Sequence, residues 1–134
     1  MGKISGPLLD RIDIHIDIPA VKYRDLSDNR ETESSAAIKA RVENARGIQR
    51  ERFQHECVFA NARMDARLIK KYCRLENDAA DLLKLAMAEI GYSARAYDKI
   101  LKLTRTIADL AGKDTISAEH VAEAIQYRSL DRNL

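Results

Sequence analysis

The sequence predicts a mainly α protein, a helical bundle preceded by one β-strand cut from a larger sheet-containing domain. Three observations carry that prediction. From about residue 65 onward, apolar residues recur at i, i+3, i+4 and i+7, the spacing of amphipathic helices. Near the start, Ile12, Ile14, Ile16 and Ile18 alternate with Asp13, His15 and Asp17, the period of a strand. No second alternating run follows, and a lone strand cannot satisfy its own backbone hydrogen bonds. The element therefore belongs to a sheet that other residues complete.

Taken in order, the chain opens with Ile4-Ser5-Gly6-Pro7-Leu8-Leu9-Asp10-Arg11. Pro7 suits the first turn of a helix, whose N–H groups are unpaired anyway, and Ser5 can cap it. A short helix through Arg11 is expected, then the strand 12–18, which Pro19 stops. Residues 19–31 are polar and aperiodic, a loop in which Asp28 and Glu31 can pair as a cap for the next helix. A charged helix is expected from Glu33 to Phe53, with Ala37, Ile38, Val42, Ala45, Ile48 and Phe53 as a modest apolar stripe. Residues 54–63 read as a second loop.

The later helices are better defined. Asp65 to Cys73 sets Leu68, Ile69 and Tyr72 on one side. Asp78 to Ile90 aligns Ala79, Leu82, Leu83, Ala86, Met87 and Ile90, and Gly91 ends it. Ser93 caps a helix to Ala111 whose inner face is expected to hold Tyr97, Ile100, Leu101, Thr104, Ile107 and Ala108; Gly112 ends that one. Ser117 caps a last helix with Val121, Ala124 and Ile125 inward.

Composition narrows the function classes. Aromatics make up 5% of the 134 residues and Trp is absent, so the core must be aliphatic. Charged residues reach 33% yet nearly balance, leaving a net charge of +2, which fits solvated helices better than an overtly basic nucleic-acid binder. Two cysteines, Cys57 and Cys73, are too few for a disulfide framework, so a reducing cytoplasmic setting is expected. No apolar run is long enough to span a bilayer, and the start lacks a signal-peptide core.

Read residue by residue, no chemical constellation is complete. The five glycines are scattered, no G-x-x-x-x-G-K-[ST] loop occurs, and no apolar strand ends in the acidic pair that would hold magnesium. His55-x-Cys57 with Cys73 falls short of the four ligands a zinc site wants, His15 and His120 lie far away in sequence, and no metal site is expected. Cys73 reads as a core residue. Ser93, Ser117 and Thr104 lack His/Asp company, and capping explains the serines. Arg41, Arg46, Arg50 and Arg52 interleave with Glu43 and Glu51, so an i,i+4 ion-pair network on an exposed face is expected rather than a phosphate-binding one. Tyr92, Tyr97 and Tyr127 read as core edges. Taken alone, Arg11 is a solvated surface charge. Arg95 is less bland: a cation in a helix's first turn opposes the macrodipole by about 0.3–1 kcal/mol, while the same terminus favours a phosphate.

The segments Ser5-Gly6-Pro7-Leu8-Leu9-Asp10-Arg11-Ile12-Asp13 and Ser93-Ala94-Arg95-Ala96-Tyr97-Asp98 resemble the magnesium-chelatase-like AAA+ ATPases. The likeness is closest to their ComM/YifB competence-associated branch. It continues through Thr106-Ile107-Ala108-Asp109-Leu110 and the ending His120-Val121-Ala122-Glu123-Ala124-Ile125-Gln126-Tyr127-Arg128, and so covers nearly the whole chain. Each piece alone is weak; the combination is specific.

That resemblance implies the C-terminal part of a ring-forming ATPase subunit. Residues 1–18 would be the terminal strand and arginine-finger segment of the AAA+ core, 19–33 a linker, and 34–134 the helical lid. Arg11 would be the catalytic arginine finger, reaching the γ-phosphate held by a neighbouring subunit, and Arg95 the nucleotide-binding sensor-2 residue. A guanidinium suits both tasks because it stays protonated and pairs with two phosphate oxygens at once. The longer subunit would use ATP and Mg²⁺, whereas this chain alone, lacking the phosphate loop, is expected to bind neither and to hydrolyse nothing. The implied partners are other subunits of a homo-oligomeric ring, expected as a hexamer, and DNA as the worked substrate, with no membrane.

Two other readings compete. Magnesium chelatase proper would drive metal insertion into a porphyrin, but the ending Ile125-Gln126-Tyr127-Arg128-Ser129 looks more like the competence branch. Residues 65–130 also offer an interaction module, because 116–125 looks like the last helix of histone-fold proteins. Histone folds need one long central helix, and here Gly91-Tyr92 splits two long ones. A generic helical DNA-binding module is disfavoured by the near-neutral charge.

Overall fold

A computed structural model describes residues 8, 11–16, 18–20 and 32–128. Five α-helices and one short 3-10 turn have described bounds, and no strand occurs among the described residues. Helix α1 spans Ser35–Arg52, followed by the 3-10 turn Asn61–Arg63, α2 (Ala66–Tyr72), α3 (Asn77–Ile90), α4 (Ala94–Leu110) and α5 (Ala118–Gln126). The mainly helical architecture is the one the periodicity predicts.

Local chemistry sets the helix ends. Ser34 accepts from the N–H of Ala37, Asp65 from that of Leu68, and Ser93 from that of Ala96, each pairing a donor that the first helical turn leaves over. At the start of α5 the imidazole Nδ1 of His120 accepts from the N–H of Ser117 and lies 3.1 Å from its hydroxyl, so this histidine serves the helix cap. Gly91 stops α3 in the left-handed region at φ 71°, which costs glycine nothing.

Helix α4 is the spine. It packs against α5, α1, α2 and the 3-10 turn, and α5 also packs on α3. Leu83, Ile100, Ile116, Val121 and Ala124 are fully or almost fully buried at the centre. Burying a side chain of the Leu/Ile/Val type contributes about 1.5–3 kcal/mol. Cys73 joins this core, and burial pushes its thiol up to about 11, which keeps it protonated and inert. Leu75 and Ile116 form a single parallel bridge between the segments that enter α3 and α5.

Several expectations need correction. The strand over 12–18 is not formed among the described residues, which offer no partner strand to complete its ladder. The segment instead finds partners on the helical bundle, at Lys99, Tyr127 and Arg128. The apolar stripe of α1 is only half used: Ala45 and Phe53 are buried, but Ile38 and Val42 stay exposed because nothing in the described structure covers the first turns. Tyr97, expected inward, is 40% exposed, and Ala96 takes the inner position instead. The short helix from Ser5 and Pro7 and the Asp28–Glu31 cap lie essentially outside the described residues; of that region, the N–H of Arg11 donates to the carbonyl of Leu8 at 3.0 Å.

Candidate functional site

Arg11 is exposed, but the residues after it are fastened down. Arg128, just past α5, is 0% exposed, and its guanidinium Nη1 donates to the carbonyls of Ile12 at 2.9 Å and Asp13 at 3.5 Å. The N–H of His15 donates to the carbonyl of Tyr127 at 2.6 Å, and Lys99 on α4 pairs with the Asp13 carboxylate at 2.7 Å. A segment without a strand partner thus satisfies its backbone through a helix end and a buried cation. Arg11 is delivered at the edge of that strap.

The strap and α4 border a cleft of about 400 Å³ lined by Arg11, Asp13, Ile14, Lys99, Lys102 and Thr106, together with Ala62 and Leu103. Lys99 and Lys102 continue a ridge of α4 that begins with the exposed Arg95, four residues or about 6 Å of helix axis before Lys99. Arg95 sits in the first helical turn beside the Ser93 cap. Both sequence-predicted site residues therefore border one cationic stretch of surface. Chemically, guanidinium and ammonium groups along one helix ridge suit phosphate oxygens.

A second cleft, of about 440 Å³, shares Ala62 and Thr106 with the first and is lined by Arg46, Gln49, Arg50 and Phe59. The expected i,i+4 network on α1 is not present: among the described residues neither Glu43 nor Glu51 forms an ion pair. Arg41 reaches back to Glu33 instead, and Arg52 turns inward.

Beneath these clefts lies a polar cluster that periodicity and motifs do not reveal. The Asp109 carboxylate, fully buried, accepts two hydrogen bonds from Arg52 (Nη1 at 2.6 Å), one from Arg105 Nε at 3.1 Å and one from Asn61 Nδ2 at 2.8 Å. The remaining Arg105 donors go to the carbonyls of Lys113 and Asp114, and Asn61 Nδ2 also reaches the Thr106 hydroxyl. Burial is the main influence on Arg105, pushing its pKa down, and Asp109 opposes that. The arrangement locks α1, the 3-10 turn and α4 into one unit. Its one sequence signal is that Arg105 and Asp109 are i,i+4 neighbours on the same stripe as Leu101 and Ala108.

The other candidates are dispersed. His55 and Cys57 are exposed, while Cys73 is in the core and His120 caps α5. Among the described residues no three His, Cys, Asp or Glu side chains are gathered as a metal site would require. No helix there is long and apolar enough to cross a membrane. Tyr92 and Tyr127 are half-buried at the core edge, as expected.

The family model described as magnesium chelatase, subunit ChlI C-terminal, matches residues 32–128. Over 135 aligned residues the chain is 41% identical to the uncharacterized protein YifB of Salmonella typhimurium and 38% identical to the competence protein ComM of Haemophilus influenzae. It is 30% identical over 128 residues to the uncharacterized protein Rv2897c of Mycobacterium tuberculosis. The first two alignments take in 100% of this chain but 26% of each relative, and the third 96% and 25%. The chain thus spans about a quarter of the length of the curated relatives it matches.

Proposed function

The chain belongs to the magnesium chelatase subunit ChlI C-terminal family, and on that footing we propose that it is the lid-bearing part of a ring-forming AAA+ ATPase subunit of the ComM/YifB type that works on DNA. Arg11 is the finger that reaches a neighbour's γ-phosphate, and Arg95 is the sensor that reads the nucleotide beside the lid. ATP supplies the transferable phosphoryl group, and Mg²⁺ is held by residues of the longer subunit. The observation that carries this reading is the strap: Arg11 stands exposed while Arg128, Tyr127 and Lys99 fix the residues behind it. A finger needs that combination, because a guanidinium must be free at its tip and positioned at its base to meet charge that develops on another subunit.

The chemistry asked of Arg11 is electrostatic. Charge on the transferred group spreads over its equatorial oxygens, and a planar fork pairs with two of them; such a finger is worth about a thousandfold or more in rate. Lysine would keep the charge and lose the fork. Residues 1–18, 19–33 and 34–134 then act as core segment, linker and lid, and lid rotation is felt at Arg11 through the strap.

The test uses the longer subunit. Arg11→Ala should abolish ATP turnover while nucleotide binding persists, and mixing it with a phosphate-loop variant should restore part of the activity. Full turnover by Arg11→Ala would overturn the finger role, and absence of rescue at every ratio would overturn its action across subunits.

A further inference from the structure

We propose that the face formed by α1, the 3-10 turn and α4 is a binding track for single-stranded DNA, in which Arg46, Arg50 and Lys102 hold phosphates and Phe59 stacks on a base. The assignment of DNA as polymer rests on the function proposed for the longer subunit; the surface itself is argued from four observations. The two clefts share Ala62 and Thr106 and so run into one another. Cations dominate along them: Arg46 and Arg50 in one, Arg11, Lys99 and Lys102 in the other, against the single carboxylate of Asp13, which Lys99 already pairs. Arg46 and Arg50 are one turn apart on α1, and the glutamates that could have neutralised them, Glu43 and Glu51, form no ion pair among the described residues. Their charge is therefore available to a ligand.

Phe59 is the fourth. It is 76% exposed on the rim of the second cleft, close to both guanidinium-bearing residues. A lone exposed apolar residue means little. An exposed ring beside two arginines over a charged cleft is the combination by which proteins hold unpaired bases, since every base has a π-face. A duplex keeps those faces stacked and could not use it.

The floor is rigid, because Asn61 and Thr106 are tied to each other and Asn61 to the buried Asp109, so the cleft is formed before a ligand arrives. The near-neutral total charge does not oppose the proposal. Exposed acids lie on α3 and α5, at Asp78, Asp81, Glu89, Glu119 and Glu123, and also at Glu43, Glu51 and Asp98 on α1 and α4, but of all these none lines either cleft.

The experiment measures fluorescence anisotropy of a labelled single-stranded oligothymidylate against the whole 134-residue chain, without nucleotide, across a salt series. Arg46→Ala with Arg50→Ala should weaken binding about tenfold or more and flatten the salt slope by about 1.4, two contacts at roughly 0.7 each. Phe59→Ala should weaken it at least about fivefold and leave the slope unchanged. All three side chains are exposed, so the fold should survive; circular dichroism checks this, and Arg46→Glu serves as an independent variant. Absence of saturable binding, variants that bind like the parent chain, equal affinity for a duplex of the same length, or equal competition by polyglutamate would each overturn the track. Because no ATP is used, failure here is distinct from failure of the Arg11 turnover test, which is read in the longer subunit.

Discussion

The Arg128 guanidinium holds the carbonyl of Ile12 at 2.9 Å across 116 residues of sequence. Segments far apart in sequence meet there, and a buried cation takes the part that a neighbouring strand would play in a sheet. Hydrogen bonds from charged donors contribute about 1.5–3 kcal/mol each, enough to keep a short segment docked that has no ladder of its own.

Arg128→Ala should therefore undock the strap before it harms the bundle. Hydrogen exchange should report it: the His15 amide, now bonded to Tyr127, should lose protection, while amides of α3 and α4 keep theirs. Unchanged exchange at residues 12–15 would mean that Lys99 and Tyr127 suffice. On the finger role proposed for Arg11, the same variant in the longer subunit should lower turnover more than nucleotide binding, because a loosened Arg11 would be present but misplaced.

Asp109 carries the second prediction. Two arginines converge on one buried carboxylate, and removing it leaves Arg52 and Arg105 inside without a counter-charge. Asp109→Ala should cost about 3–5 kcal/mol, read as a lowered urea midpoint. Asp109→Leu combined with Arg105→Met should recover part of that loss, since replacing a buried ion pair by apolar groups of similar size is often close to neutral. A single variant as stable as the parent would show that the cluster is solvated in solution.

The helical frame is legible in the sequence because its determinants are local. Ser93, Ser117, Gly91 and Gly112 each act within a turn of their own position, so spacing alone finds them. The features that spacing misses depend on distant residues. Arg52 reads as a surface charge until Asp109 is known to lie 57 residues away in sequence and against it in space. Tyr97 reads as inward by period, yet a large ring one position off the stripe centre is displaced by the small Ala96. The alternating isoleucines report a β pattern faithfully, but pairing is a property of two segments and the described residues hold only one. Arg11 and Arg95 are singled out only by motif likeness; Lys99 and Lys102, which line one cleft with Arg11, and Phe59, which lines the next, belong to no motif and become visible only when the elements are assembled.

Glu56 fastens the loop that presents Phe59 and should give it a modest acid sensitivity. Its carboxylate accepts from Arg67 Nη2 at 2.6 Å, Lys71 Nζ at 2.9 Å and the Tyr72 hydroxyl at 3.3 Å, tying the turn after α1 to helix α2. Hydrogen bonds from Arg67 first and Lys71 second lower its pKa to about 2 from an ordinary 4.5. The folded pKa lies below the unfolded one, so as the medium is acidified the unfolded chain takes up this proton first. The contribution is fully present above about pH 4.5 and is lost progressively as pH falls toward 2. Both cations are exposed and salt-screened, so the effect should be modest and should shrink in high salt. Glu56→Gln should be somewhat less stable than the parent at neutral pH, lose less stability on acidification through that window, and converge with it near the lower bound. Urea midpoints measured across the range check this, and parallel curves for the two proteins would show that Glu56 is not the group that titrates.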